Sequence, residues 1–459
     1  MEANVTHAER LAEFVARASY EDLSDAAVRE LKIRVLDSLG CAIGALRGEP
    51  VRLVREQIEE FGGNPLATLV GGGKTAPDRA ALYNGALIRY LDYNDSYLAK
   101  GETCHPSDNL GAVLAASEYA VGTGRDLLVA LAVAYQVQCR LSEVTPVRHK
   151  GFDHTTQGAY AAAAGVAKAL GLDAWKTMNA VAISGTANNA LRVTRTGSLS
   201  HWKGLAYPNT GSAATHAAFL AMRGITGPPE VFEGNKGYMD AIAGRFEIDW
   251  DREDLEVVTR TIVKRYNAEI HSQTALEGIL ELREEHGIRP EEVEELELET
   301  FDVAYDIIGG GEEGEKKTVR TKEEADHSLP YLLAVALLDG EVYPPQYDPE
   351  RIAAEDVQKL LRRVEVRPAD DLSERFPQEM PCRLRVLTKS GGEFGVEKAD
   401  YEGFFSRPVS WERAKEKFER LSSPYAEGKL MESIEDAVQH LEEIEIRELT
   451  ERLGKVGTR

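Results

Sequence analysis

Leu91-Asp92-Tyr93-Asn94-Asp95-Ser96-Tyr97, continuing through a short polar stretch into Thr103-Cys104-His105-Pro106-Ser107-Asp108-Asn109, gathers Asp92, Asp95, His105 and Asp108 into one short segment. Apolar sequence with helical spacing flanks it, residues 79–93 before and 112–120 after. A charged loop between two apolar helices marks a fold of packed helices in which the loop is held from both ends. Taken singly, each residue has a plainer role: Asp92 or Asp95 ends a helix, and Ser107 and Asp108 start the next beside Pro106. Taken together, they are the kinds of group that proton transfer needs.

Helical patterns recur outward from this loop. Residues 8–46 read as two helices, the second starting after Ser24 with Ala27, Leu31, Val35, Leu36 and Leu39 on one face. Gly40, Ala42, Gly44 and Ala45 leave room there for close backbone approach. Residues 52–61, 126–141, 158–170, 175–189 and 211–222 continue the style, and no strand pattern stands out before about residue 255. Gly71-Gly72-Gly73-Lys74-Thr75 fails as a phosphate loop, because the motif needs glycine where the chain has Thr68, and Pro77 stands where the helix should launch. It reads as a turn with Pro77 at a helix start.

After Trp250 the pattern changes. Residues 293–300, 363–367, 383–388 and 393–399 read as strands, with helices at 273–285 and 329–338 between them. The expected fold class is mainly α: a large all-helical domain, residues 1–257 and 405–459, with a smaller α+β lid domain, 258–404, inserted. Residues 309–324, Gly-rich and charged, read as a mobile loop. Gly309, Gly311 and Gly314 match a dinucleotide spacing by chance, since Glu312 and Glu313 fill the gap and no helix pattern follows. From 410 to 453 the chain is helical again, with Trp411, Ala414, Phe418 and Leu421 on one face.

A chain of 459 residues is long for one core, and 43% apolar content excludes wholesale disorder. The net charge of -23 argues against a nucleic-acid partner and makes any anion site a local basic exception. Cys41, Cys104, Cys139 and Cys382 lie far apart, without the pairs of a zinc, iron–sulfur or redox site, which suits a reducing, cytoplasmic setting. The first residues lack a signal peptide's apolar core, and no uninterrupted apolar run reaches membrane-spanning length. Neither a His-Glu-x-x-His helix nor a calcium loop is present, so metal-free acid–base chemistry ranks above metal catalysis. A Gly-x-Ser-x-Gly elbow is also missing.

Further histidine- or lysine-bearing loops fall at the ends of predicted elements: His154 before a helix, His201-Trp202-Lys203-Gly204 before the run near Gly211, Lys264-Arg265-Tyr266 leading to His271, and Asp326-His327-Ser328. A single histidine at a helix start is usually a capping-side donor, and a single lysine is usually solvated. Several such loops in a chain with 10 histidines strengthen each other, and a site drawing on both domains would collect them.

At these loops the sequence resembles the MmgE/PrpD family, cofactor-independent 2-methylcitrate dehydratases and relatives that include cis-aconitate decarboxylase. The pieces are LDYNDSYL with HPSDN, GFDHTT, SHWKGLA, VKRYNAEIHSQTA and ADHSLPYLLAVALLDG. The resemblance implies an all-helical domain with an inserted lid, no cofactor and no metal, no membrane, and a homodimer whose interface the helices around 110–190 would supply. It implies active-site roles for Asp92, Ser96, His105, His154, Lys203, Lys264 and His271. Ser96 departs from the usual Thr, while Asn94 and His201-Trp202-Lys203 depart from the decarboxylase pattern toward the dehydratase branch.

The implied substrate is a small-molecule tricarboxylate with a tertiary hydroxyl. His105 and His154 are assigned to proton transfer, Lys203, Lys264 and Arg265 to the developing negative charge, and Asp92 to an imidazole or the substrate hydroxyl. Asn94, Ser96, Tyr266 and His327 add polar contacts, and His271 comes from the lid. Decarboxylation or epimerisation on the same fold, and a non-catalytic polycarboxylate binder, are the alternatives.

Overall fold

Local chemistry sets the helix starts in the computed structural model, which describes residues 5–457. Thr6 and Glu9 form a reciprocal capping box ahead of His7–Arg17, Ser24 caps Asp25–Gly44, and Thr123 and Asp126 box the start of Gly124–Val144. Pro77 opens Pro77–Tyr90, and the glycines at 71–73 all adopt positive φ in the turn before it.

The chain separates into two compact units. One comprises the chain up to Thr194, Gly204–Thr261 and the chain from Ser410 onward; the other comprises Arg195–Lys203 and Ile262–Val409. The second unit thus takes in Arg195–Lys203, a stretch that the sequence reading places within the helical domain.

Small residues let the helices of the first unit approach backbone to backbone. A Cβ on Gly111 would stand 2.6 Å from the nitrogen and 2.8 Å from the Cα of Gly85, so Leu110–Tyr119 and Pro77–Tyr90 cross at a paired glycine contact. Gly40 brings Asp25–Gly44 against Trp411–Ser422 in the same way, a Cβ there lying 3.0 Å from Phe418 Cα. Ala414, Phe418 and Leu421 are buried on that face. By length and composition Gly124–Val144 is the one helix among the described residues able to cross a membrane, but 83% of its apolar window is covered by its neighbours, as in a core helix.

Two expectations are corrected here. The first unit does contain strands, as two short antiparallel pairs, Ala67–Thr68 with Lys74–Thr75 and Tyr97–Ala99 with Glu102–Cys104. They are too short to show an alternating pattern. The helix expected near Gly211 is Trp202–Met222, with Pro208 inside it. Proline reads locally as a breaker, yet here Pro208 stands inside the helix and packs against Gly85 of Pro77–Tyr90, its Cα 3.4 Å from where a Cβ on Gly85 would stand.

The second unit holds a four-stranded sheet in the order Val364–Pro368, Val293–Thr300, Cys382–Thr388, Glu393–Lys398, with the first pair parallel and the others antiparallel. Leu296, Leu298, Leu384 and Val386 face a core shared with helices Gln273–His286 and Leu329–Asp339. The opposite face carries ion pairs, Arg385 on Glu297 at 2.8 Å and on Glu393 at 2.7 Å. This two-faced surface is the period-two pattern visible in the sequence.

The Gly85–Gly111 contact generates a stability prediction. Gly111→Ala has to push two helix backbones apart and is expected to cost about 1–3 kcal/mol. Gly428→Ala, where a Cβ meets nothing within 4 Å, is expected to leave the urea midpoint unchanged. Equal midpoints for the two variants would show that the crossing is not tightly packed.

Candidate active site

In the first unit, helix Pro77–Tyr90 runs out into Asp92, whose φ of 54° is one of the few positive values outside glycine. Aspartate tolerates this left-handed turn better than most residues. The turn carries the chain into a buried loop. Arg89 pairs with Asp92 and stands 3.7 Å from Asp108, linking the two acidic residues that flank the segment. The Asn94 amide donates to Ser107 Oγ at 2.9 Å and Asp108 Oδ1 at 2.8 Å.

The hairpin Tyr97–Ala99/Glu102–Cys104 then folds the chain back, turning at Gly101 with φ 85°. It sets His105 beside the residues that precede the first strand. His105 Nδ1 lies 2.8 Å from the Asp95 carbonyl and 2.9 Å from Ser96 Oγ. Because a carbonyl only accepts, Nδ1 carries the ring proton and Nε2 is the basic nitrogen of the neutral imidazole. Asp95 is itself fixed, its carboxylate accepting from Tyr135 OH at 2.7 Å and from the Ser107 N–H at 3.0 Å.

His154, at the N-cap of Thr155–Ala169, faces His105 with ring centroids 5.4 Å apart and planes at 75°. Its Nδ1 is 3.2 Å from Asp153 Oδ1, and Tyr207 stacks near-parallel with it at 6.2 Å. The Tyr207 hydroxyl donates to Asn109 Oδ1 at 2.9 Å, which holds the stacked ring in place. The first unit thus brings Asp92, Asn94, Ser96, His105 and His154 into one buried polar cluster.

The second unit builds another cluster. Lys203 donates to Asp326 Oδ1 at 2.6 Å and lies 2.9 Å from His327 Nδ1, while His327 Nδ1 is 2.7 Å from the same carboxylate oxygen. Lys322 reaches the other oxygen at 2.7 Å. Burial pushes the Asp326 carboxyl up, but Lys203, Lys322 and His327 outweigh it and hold the group far below the usual carboxylate range.

Glu269 receives the His271 backbone N–H at 2.7 Å and stands 2.8 Å from His271 Nδ1. Burial opposes its charge too, yet His271, His327 and Lys264 hold it at about 2. His271 Nε2 is buried with no hydrogen-bond partner among the described residues. Lys264 is buried as well.

Arg265 and Tyr266 also have partners within the second unit. Arg265 pairs with Glu402 and lies 3.9 Å from Glu277, so its charge is met inside its own unit. Tyr266 belongs to the apolar core of that unit. The Asp95 carbonyl and Ser96 contact the His105 ring, while Asp92 pairs with Arg89. Roles went unassigned for Arg89, Asp95, Tyr135, Glu269 and Asp326. Glu269 and Asp326 stand close before a histidine in the sequence, which was a usable signal. Tyr135 sits within an apolar helix and offered none.

Models of two domains match the sequence, the MmgE/PrpD N-terminal domain over residues 9–251 and the MmgE/PrpD C-terminal domain over residues 266–443. Cis-aconitate decarboxylase of Mus musculus is 26% identical over 466 residues, covering 94% of this chain and 90% of that protein. 2-Methylcitrate dehydratase of Escherichia coli K12 is 29% identical over 362 residues, covering 72% of this chain and 71% of its own length. The mitochondrial 2-methylcitrate dehydratase of Yarrowia lipolytica is 26% identical, covering 78% and 71%. With both models matched in chain order and dehydratases and decarboxylases among its relatives, the chain belongs to the MmgE/PrpD family of enzymes.

Proposed function

We propose that the protein is a cofactor-independent hydro-lyase that removes water from 2-methylcitrate or a related tricarboxylate such as citrate. The observation that carries this reading is the buried pair of imidazoles, His105 and His154, with His105 held through Nδ1 by the Asp95 carbonyl. Dehydration needs a base for the proton on the carbon beside a carboxylate and an acid for the departing hydroxyl. Two imidazoles fill those roles near neutral pH. The C–H electron pair forms the new double bond, the C–O bond breaks, and the hydroxyl leaves as water with the proton from the acid.

Carboxylate binding and the developing negative charge call for cations that are already in place. Lys203 and Lys264 have this role, His271 offers its buried Nε2, and Asp92, Asn94, Ser96 and His327 add polar contacts. The second unit serves as the lid domain. A homodimer in a cytoplasmic setting completes the proposal.

A second reading, decarboxylation of cis-aconitate, is favoured by one observation: the decarboxylase relatives align along 94% and 92% of this chain, against 72–78% for the dehydratases. Assay of chelator-treated protein with each substrate, following ultraviolet absorbance and product mass, separates the two. A conjugated triacid from 2-methylcitrate is expected. Carbon dioxide from cis-aconitate without that product would replace the dehydratase reading by the decarboxylase one.

His105→Ala is expected to lower kcat by about 10²–10⁴-fold in a folded protein, the usual span for losing a general acid or base. Lys203→Ala leaves Asp326 paired with Lys322, so it is expected to fold and to lose most turnover. Full activity in either variant removes that residue from the mechanism.

The Glu269 carboxyl also predicts a pH dependence of stability. Its folded value, about 2, lies below the ordinary 4.5. The stabilisation is therefore complete above the unfolded value and is lost as pH falls toward the folded one, on the order of 3 kcal/mol in all. Denaturant midpoints of wild type should fall through this acid range more steeply than those of Glu269→Gln. Parallel curves would show that Glu269 is not coupled to folding.

A further inference from the structure

Lys417, on helix Trp411–Ser422, has no part in the chemistry assigned above, yet its ammonium is buried against the loop that carries Asp92, Asp95 and Ser96. Its Nζ donates to the Tyr93 carbonyl at 2.7 Å, stands 2.6 Å from Asp37 Oδ1 and lies 3.6 Å from the centroid of the Tyr93 ring. Lysine is rarely buried, and burying its charge is costly unless the ammonium is paired and hydrogen-bonded. Apolar residues would have sufficed for packing, as Ala414, Phe418 and Leu421 show on the same helix.

What an apolar residue cannot do is satisfy a buried carbonyl. Tyr93 follows the left-handed Asp92, and the next residues supply the His105 contacts: the Asp95 carbonyl at 2.8 Å and Ser96 Oγ at 2.9 Å. A shift of the backbone at Tyr93 would move both. Gly40 makes the reach possible, because it lets Phe418, the residue after Lys417, come against the helix that carries Asp37.

We propose that Lys417, with Asp37 as its counter-ion, is a positioning residue that anchors the Tyr93 carbonyl and so holds Asp95 and Ser96 in register with His105. The kinetic arm of its test rests on the lyase reading; the spectroscopic arm does not.

The test is the double variant Lys417→Met/Asp37→Asn, which removes both charges and leaves no buried ion alone. Its melting temperature is expected to stay near that of wild type, while kcat falls about 10–100-fold with KM unchanged, the size of effect that a small misplacement of catalytic groups produces. In histidine-labelled protein the Nδ1–H resonance of His105 is expected to shift or to lose its protection from exchange. Wild-type kcat in the double variant, or an unaltered His105 resonance, would overturn the proposal. Lys417→Met alone, which removes the donor to the Tyr93 carbonyl while burial raises the Asp37 carboxyl toward its neutral form, provides the same readouts should the double variant not fold, and unchanged turnover with an unchanged resonance there overturns it equally. If wild type turns over none of the substrates but the His105 resonance responds, the assigned reaction fails and the positioning role stands.

Discussion

A buried carbonyl has to find a donor, and the loop from Leu91 to Asp95 is buried along its whole length without the hydrogen-bond ladder of a helix or sheet. Its groups are met by side chains and backbone from outside it. Lys417 serves Tyr93, His105 serves the Asp95 carbonyl, and Tyr135 and the Ser107 N–H serve the Asp95 carboxylate. The first unit can hold such a loop because glycine contacts let its helices come close enough for short side chains to reach. The loop in turn orients His105, so the arrangement of the imidazoles depends on hydrogen bonds that the helix packing makes possible.

Charge in the second unit runs against the character of the whole chain. The protein carries a net charge of -23, yet Lys203, Lys264, Lys322, His271 and His327 gather around Glu269 and Asp326. Both carboxyls stay ionised despite burial because their cationic neighbours repay the lost hydration. They hold those neighbours in place at the same time. A lysine on a carboxylate keeps a fixed position, and fixed cations are what a polyanionic substrate requires. This concentration of basic side chains on an acidic protein is what supports the proposed anion site.

Much of this was legible beforehand. Capping residues and apolar spacing marked most helices, and Val293–Thr300 showed its two faces through the alternation of Glu297 and Glu299 with Leu296 and Leu298. The site loops were legible as clusters of ionisable residues at element ends. The hairpin after Tyr97 was not, because three-residue strands show no period. Nor was the start of Trp202–Met222, because Pro208 inside it reads locally as a helix breaker.

By itself the sequence determined the helical character of the first unit, the mixed character of the second and the segments where chemistry could reside. These properties depend on residues close together in the chain. Tertiary structure decided which partner most ionisable groups have: Ser96 and a backbone carbonyl for His105, Asp326 for Lys203, carboxylates for Arg265, and Lys417 for a loop on the far side of the sequence. Hydrogen bonds act over about 3 Å, so residues separated along the chain become partners only when packing brings them within that reach.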